Sequence, residues 1–470
     1  MNRTKILTLL KGLAIALLLS ACASVHESIV FNTEGEELLS QGMLELAVDK
    51  FDKAVESDPN LLEAFRNRAK THALLGNFVA VVADYTELIR LDPDAATSYE
   101  GRASAYLKLD QPKMAEIDLD EAIRLDAELV SAYVHLGFVK TVLGEYRQAI
   151  NELNKAIRLN GKNSIAYNYR GDAYWKMGEF QRAMDDYDDA VSLGPSNGEA
   201  FISRGNAFRS SGQWADAIQN YNAAFRFIKP TSENYYHRGL AYSQTQRFDS
   251  AIRDYTKALE LDPNYTDVYN SRAVAYQGFG DTEAAIRDYT EVLGRDPNRW
   301  EVYFNRGNSY MVLEQWINAV QDYTDSLSIS SAETLVFNNR GLALIELREF
   351  DKAIADFNEA VNLYPNYVEA YTNRGIAQKE SGNIAAAIES YGEALRIMPD
   401  NGLVYFGRAL VHRVKGDVDS FINDLANALN LGVDKDSIEL TLVEHDEHPL
   451  DVRNFVNEAL RRLEERKSNS

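Results

Sequence analysis

The stretch RWEVYFNRGNSYMVLEQWINAVQDYTDSLSISSA (residues 299–332) runs straight into ETLVFNNRGLALIELREFDKAIADFNEAVNLYPN (residues 333–366). Laid one over the other, Tyr303 meets Phe337, Arg306 meets Arg340, Gly307 meets Gly341, Ala319 meets Ala353 and Tyr323 meets Phe357. The same beat of 34 residues extends in both directions without insertion or deletion. The position of Gly307 recurs at Gly35, Ala69, Ala103, Gly137, Gly171, Gly205, Gly239, Ala273, Gly341, Gly375 and Ala409. A fixed period of this size predicts a solenoid, in which each unit is sealed only by its neighbours.

The spacings within one unit predict two helices. Tyr303, Gly307 and Tyr310 fall on one helical face, and the small residue lets a second helix come close. Ala319, Tyr323 and Ser326 form the matching stripe on that second helix. Glycine between the stripes (Gly42, Gly76, Gly144, Gly178, Gly212, Gly382 and Gly416) suits a tight helical hairpin. Proline after the second stripe, as at Pro59, Pro93, Pro263 and Pro365, ends one helix and starts the next. Hydrophobic content of 45% with 26% charged residues is that of a folded chain rather than a disordered one.

This pattern resembles the tetratricopeptide repeat family, and the resemblance covers residues 28–435. It implies an all-α, right-handed α-solenoid of about twelve helix-turn-helix repeats closed by a C-terminal capping helix. In the polar stretch after residue 435 and the segment from Pro449 to about Arg466, the residues Leu450, Phe455, Val456, Ala459, Leu460 and Leu463 gather near one face. That segment reads as the cap, with an amphipathic membrane or partner helix as the alternative.

The N-terminus carries a different signal. Arg3, Lys5 and Lys11 are followed by the apolar run from Leu13 to Leu19, too short for a permanent span, and then by small residues. The segment ends Leu19-Ser20-Ala21-Cys22, which resembles the lipobox of bacterial lipoproteins. The resemblance implies a signal peptide over residues 1–21. It also implies that the Cys22 thiol receives a diacylglycerol and, after cleavage, that its new amine receives an acyl chain. Residues 22–27 then link the anchor to the array. Two or more chains hold a protein stably on a bilayer, whereas one holds it marginally. Ala23 after the cysteine resembles the pattern of lipoproteins sorted to the Gram-negative outer membrane, so the expected location is its periplasmic face. An ordinary signal peptide with an incidental cysteine is the alternative. Cys22 is the only cysteine, which leaves none for disulfides or thiol catalysis.

The formal charge is −22, and loss of residues 1–21 removes three positive charges and no negative one. A nucleic-acid partner is therefore not expected. The acidity either attracts basic partners or keeps a long array soluble. Arginine precedes the small residue in ten units (Arg68, Arg102, Arg170, Arg204, Arg238, Arg272, Arg306, Arg340, Arg374 and Arg408), and an aspartate stands sixteen residues on in most of them. The first unit has Glu34 and Lys50 there, the same pair with signs exchanged, while Asn220 and Ser390 break the rule. A salt bridge between the two helices of a repeat is predicted, with a phosphate-binding arginine stripe as the alternative.

By the same family resemblance, the first helices line a concave face. The phases concerned give Asn305, Asn308, Asn338, Asn339 and Asn373, interleaved with Phe304, Met311, Val312, Leu342 and Ile345. A primary amide both donates and accepts, so it can grip an extended backbone. With helices roughly 10 Å apart and a strand advancing about 3.3 Å per residue, one amide meets roughly every third peptide residue. This resembles the asparagine ladders with which some tetratricopeptide arrays hold extended peptides; the alternative is solvated helix positions. A carboxylate clamp is not expected, since Glu63, Glu199, Glu233, Asp267, Glu301 and Glu369 form an acidic edge favouring Lys/Arg-bearing ligands.

No phosphate-cradling glycine loop and no Gly-x-Ser-x-Gly motif occurs. The seven histidines are scattered, and His445 with His448 lacks a third ligand at metal-binding spacing. No cofactor or metal is expected. The leading expectation is a lipid-anchored scaffold that gathers other envelope proteins. The alternative is an envelope enzyme or metal-dependent modifying protein using the solenoid as its body.

Overall fold

The computed structural model describes residues 25–444 and 449–468. Among them are 26 helices and no strand. Each repeat folds as the spacings require. In the ninth, α17 (Trp300–Val312) packs against α18 (Trp316–Ile329); in the tenth, α19 (Thr334–Glu346) packs against α20 (Phe350–Leu363). Gly307 sits against the Tyr323 ring so closely that an added Cβ would lie 2.7 Å from Cε1. Tyr221, Tyr255, Tyr289 and Tyr323 are fully buried at this phase. Each such ring contributes roughly 1.5–3 kcal/mol by leaving water.

The hairpin turns use one backbone device throughout. Gln315 N–H donates to Tyr310 O at 2.9 Å and Glu314 N–H to Met311 O at 3.1 Å, the paired bonds of a Schellman ending. The residue two before the second helix must then be left-handed. Glycine fills this place at Gly42, Gly76, Gly144, Gly178, Gly212, Gly280, Gly382 and Gly416. Asp110, Gln246, Glu314 and Arg348 adopt the same conformation at φ 55–61°. Eight neighbours that use glycine show that the fold, and not the residue, dictates this turn.

The chain divides into two compact units, Met1–Pro230 and Thr231–Ser470. The 34-residue phase continues from Gly205 to Gly239, but the local structure changes at the boundary. Second helices such as α18 have 14 residues, whereas α12 (Trp214–Ala224) has 11. Its continuation turns tightly, with Phe227 N–H and Ile228 N–H both donating to Ala224 O, and Phe227 stacks on Phe201. Pro230 follows, and Thr231 opens α13 (Ser232–Gln244) with a capping box shared with Asn234.

At the C-terminus, α24 (Val418–Asn430) is covered by α26 (Pro449–Ser468), with α25 (Lys435–Glu444) packed on α26. Val456 and Ala459 are buried as the apolar face predicts, and Phe455 meets Phe421 edge-on at 5.3 Å. The stretch expected to be a polar connection is instead partly helical. In α25, Ile438 and Leu442 join the same core, and Val452 adds a contact that the one-face reading passed over. Arg462 ties α26 down through Asp419 at 2.9 Å and Asn423 at 3.2 Å. This apolar face is occupied within the chain, so the amphipathic-membrane alternative for α26 loses its surface. Cys22, the signal segment and the His445/His448 pair lie outside the described residues.

Candidate binding groove

In the second unit α17, α19 and α21 (Val368–Glu380) follow one another as first helices. They bring four of the five expected asparagines into a single hydrogen-bonded chain. Asn373 Nδ2 donates to Asn338 Oδ1 at 3.0 Å, and Asn338 Nδ2 to Asn339 Oδ1 at 3.2 Å. Asn339 Nδ2 donates to Asn308 Oδ1 at 2.9 Å, where the Tyr323 hydroxyl also donates at 2.7 Å. The amides are therefore joined to one another. At the two ends the Asn373 carbonyl can accept and the Asn308 amide can donate, and each other amide keeps a second N–H.

Asn305 is separate. Its side-chain amide bonds to no described residue, while its backbone carbonyl accepts from Gln277 Nε2 at 3.2 Å. Gln277 in turn donates to Ser309 Oγ and accepts from the Tyr289 hydroxyl. The apolar companions are divided between groove and core. Phe304 and Met311 pack on the cluster of Ala319, Tyr323 and Leu327, and Leu342 and Ile345 on that of Phe357 and Ala377. Val312 is 70% exposed.

A rule linking neighbouring repeats emerges that sequence reading missed. A polar residue three before the small residue of one repeat meets the residue two before it in the next, 35 positions on. Asn67 Nδ2 donates to Asn32 Oδ1 at 3.1 Å, His135 faces Glu100 at 3.1 Å, and Asn373 meets Asn338 in the same way. Polar pairs at this offset in consecutive repeats were the available signal. Burial alone would raise the Glu100 carboxyl, but hydrogen bonds from His135 and Ser131 hold it below the usual carboxylate range.

The first unit carries a cavity of about 710 Å³ at the same phases. Gly101 and Ser104 leave the space, and Tyr85 leans over Gly101 so that a Cβ there would lie 2.2 Å from its ring. Leu74, Phe78 and Val81 are among its apolar lining residues, and Arg66, Lys70, Glu100 and His135 among its polar ones. Arg66 is paired with Glu63 at 2.7 Å; Lys70 makes no ion pair among the described residues.

The arginine ladder is structural. Arg306 Nε and Nη2 both bond Asp322 at 2.8 Å, and its guanidinium lies 5.7 Å from the Tyr303 ring centroid. Burial pulls the Arg306 guanidinium down, but the bonds from Asp322 carry it above its ordinary value. Arg68, Arg102, Arg170, Arg238, Arg272, Arg340 and Arg408 repeat the bidentate arrangement. Lys50 reaches Glu34 at 2.5 Å with the signs exchanged, and Arg204 and Arg374 bond Asn220 and Ser390 instead. Guanidiniums held in this way form no open phosphate stripe. Among the described residues no group of three or more His, Cys, Asp or Glu is placed to hold a metal, and no helix is long and apolar enough to cross a membrane.

Family models described as tetratricopeptide repeat or TPR repeat match residues 96–129, 141–178, 164–197, 232–265, 254–287, 341–382 and 368–401. The chain belongs to the tetratricopeptide repeat family, and its repeats suggest a protein–protein interaction scaffold. No curated protein matches it. Solved structures similar to it include YrrB, described as a TPR protein with an unusual peptide-binding site: 22% identity, TM-score 0.38, over 39% of this chain and 95% of that one. MamA is 26% identical with a TM-score of 0.33, over 34% of this chain and 93% of that one. The C-terminal part of a TPR protein from Cytophaga hutchinsonii is 14% identical with a TM-score of 0.46, over 51% and 98%.

Proposed function

We propose that this protein is a lipid-anchored scaffold of the bacterial envelope, fixed through acylated Cys22 to the periplasmic face of the outer membrane. Its inner face holds extended segments of other envelope proteins. The observation that carries the groove reading is the amide chain from Asn373 to Asn308. Four primary amides oriented by one another are fixed before any ligand arrives, so binding does not have to order them. Asn308 offers N–H groups and Asn373 a carbonyl, two helix spacings apart. The exposed acids Glu301 and Glu369 favour a segment bearing Lys or Arg.

The test is affinity capture from detergent-solubilised envelopes with the full lipidated chain, compared with an Asn305→Ala, Asn339→Ala, Asn373→Ala triple variant. Loss of stoichiometric partners at unchanged helicity supports the groove. Undiminished capture removes it. Catalytic turnover by the purified protein alone would replace the scaffold reading with the enzyme alternative.

A further inference from the structure

The N-terminal helix α1 (residues 25–40) differs from the other first helices at its tip. It is helical from Val25, ten positions before Gly35, whereas α17 and α19 begin seven before Gly307 and Gly341. Three extra residues lengthen it by about 4–5 Å. Gly35 lies against Phe51 of α2 (Leu44–Ser57), so antiparallel pairing sets Asp58 near Ser28 and leaves Val25 projecting past the end of α2. Ser28 Oγ closes the added turn by donating to Val25 O at 2.8 Å.

On this tip Val25 is 44%, Ile29 51% and Val30 41% exposed. Val25 and Ile29 are four apart and share a face. Glu27 is the only acid from residue 25 to 31; two positions from Val25 and from Ile29, it stands roughly opposite both, and three from Val30 it is that residue's neighbour. The next exposed acids on α1, Glu36 and Glu37, lie roughly 10–12 Å beyond Ile29 along the axis. That is somewhat more than the screening length at physiological salt. Apolar Val25 and Ile29 thus stand at the described start of α1, three and seven positions from Cys22, with Glu27 and Asp58 the nearest acids on other sides of the helix.

We infer that the first two turns of α1 insert into the headgroup zone of the anchoring bilayer, with Val25 and Ile29 in contact with lipid. The tip then sets how the first repeat stands on the membrane, which an acyl tether alone would leave free. This rests on the lipid-anchor reading of Cys22.

The test uses the full chain made in a Gram-negative host, where lipidation consumes the Cys22 thiol and leaves an introduced cysteine as the sole reactive one. Ile29→Cys, Val25→Cys and a control Ile317→Cys, 72% exposed in the second unit, are each labelled with an environment-sensitive nitrobenzoxadiazole. The probes are read on vesicles of phosphatidylethanolamine with a minority of phosphatidylglycerol. Expected is a blue-shifted emission, protected from a water-soluble quencher, at positions 25 and 29 but not at 317. Flotation of the protein with vesicles while all three labels stay water-exposed overturns the insertion and leaves the anchor standing. Failure to float, with a mass lacking acyl chains, overturns both. Circular dichroism of each labelled protein establishes that α1 is retained.

Discussion

Arg306 joins three helices at once: its Nε and Nη2 bond Asp322 in its own repeat at 2.8 Å, and its Nη1 bonds Thr290 Oγ1 of the preceding repeat at 3.0 Å. The same outward bond appears from Arg68 to Asp52, Arg170 to Asn154, Arg340 to Thr324 and Arg374 to Asn358. A residue read from sequence as an internal strut is therefore also a link between repeats. Its action is local because nearest-neighbour interfaces carry the stability of repeat arrays.

Arg306→Ala leaves Asp322 buried without its cation, and it should cost about 3–5 kcal/mol. Arg306→Asp combined with Asp322→Arg should recover part of that loss, as the natural Lys50–Glu34 pair implies. The readout is amide exchange in α17 and α18 for both single variants and the double, since one global transition need not describe a long array. Additive losses in the double variant would show that the pair is not coupled.

Asp172 on α9 (Ser164–Lys176) accepts from the Tyr187 hydroxyl at 2.8 Å, and burial pushes its carboxyl up to about 6. A raised carboxyl penalises folding fully above that pH, and the penalty fades as pH falls towards the ordinary value near 4. Asp172→Asn keeps an acceptor for Tyr187, as Asn206 and Asn308 do for Tyr221 and Tyr323. It should stabilise the first unit by about 1–3 kcal/mol at pH 7 and make no difference at pH 4. Chemical denaturation at the two pH values, with the same gain at both, would refute the titration.

Glu314→Gly and Arg348→Gly place glycine where φ is already 56° and 61°. Each should raise stability by about 0.5–1 kcal/mol by relieving the left-handed side chain. The measurement is the denaturant midpoint, and a lowered midpoint in both would contradict the turn assignment.

Val456→Asp puts a charge into the fully buried contact of α26 with Phe421 and Leu425. Exchange should accelerate in α24 and in α23 (Gly402–Lys415) and stay unchanged in α17. Uniform acceleration along the second unit would mean that the cap stabilises more than the last repeat.

Periodicity by itself determined the number of repeats, their two helices, the small-against-ring contact of Gly307 with Tyr323, and the Arg–Asp pairing. Each of these repeats every 34 residues and involves partners at constant separation, so one chain displays each of them many times. Tertiary structure alone decided what breaks the period. The shortened α12, the helical α25 and the left-handed Glu314 depend on packing and backbone geometry that composition does not encode. The asparagines show the division best. Sequence placed them on one face, but only the approach of successive helices joined Asn373, Asn338, Asn339 and Asn308 into one chain. A side-chain hydrogen bond requires heavy atoms within about 3 Å, and only the packed backbone decides which amides come that close.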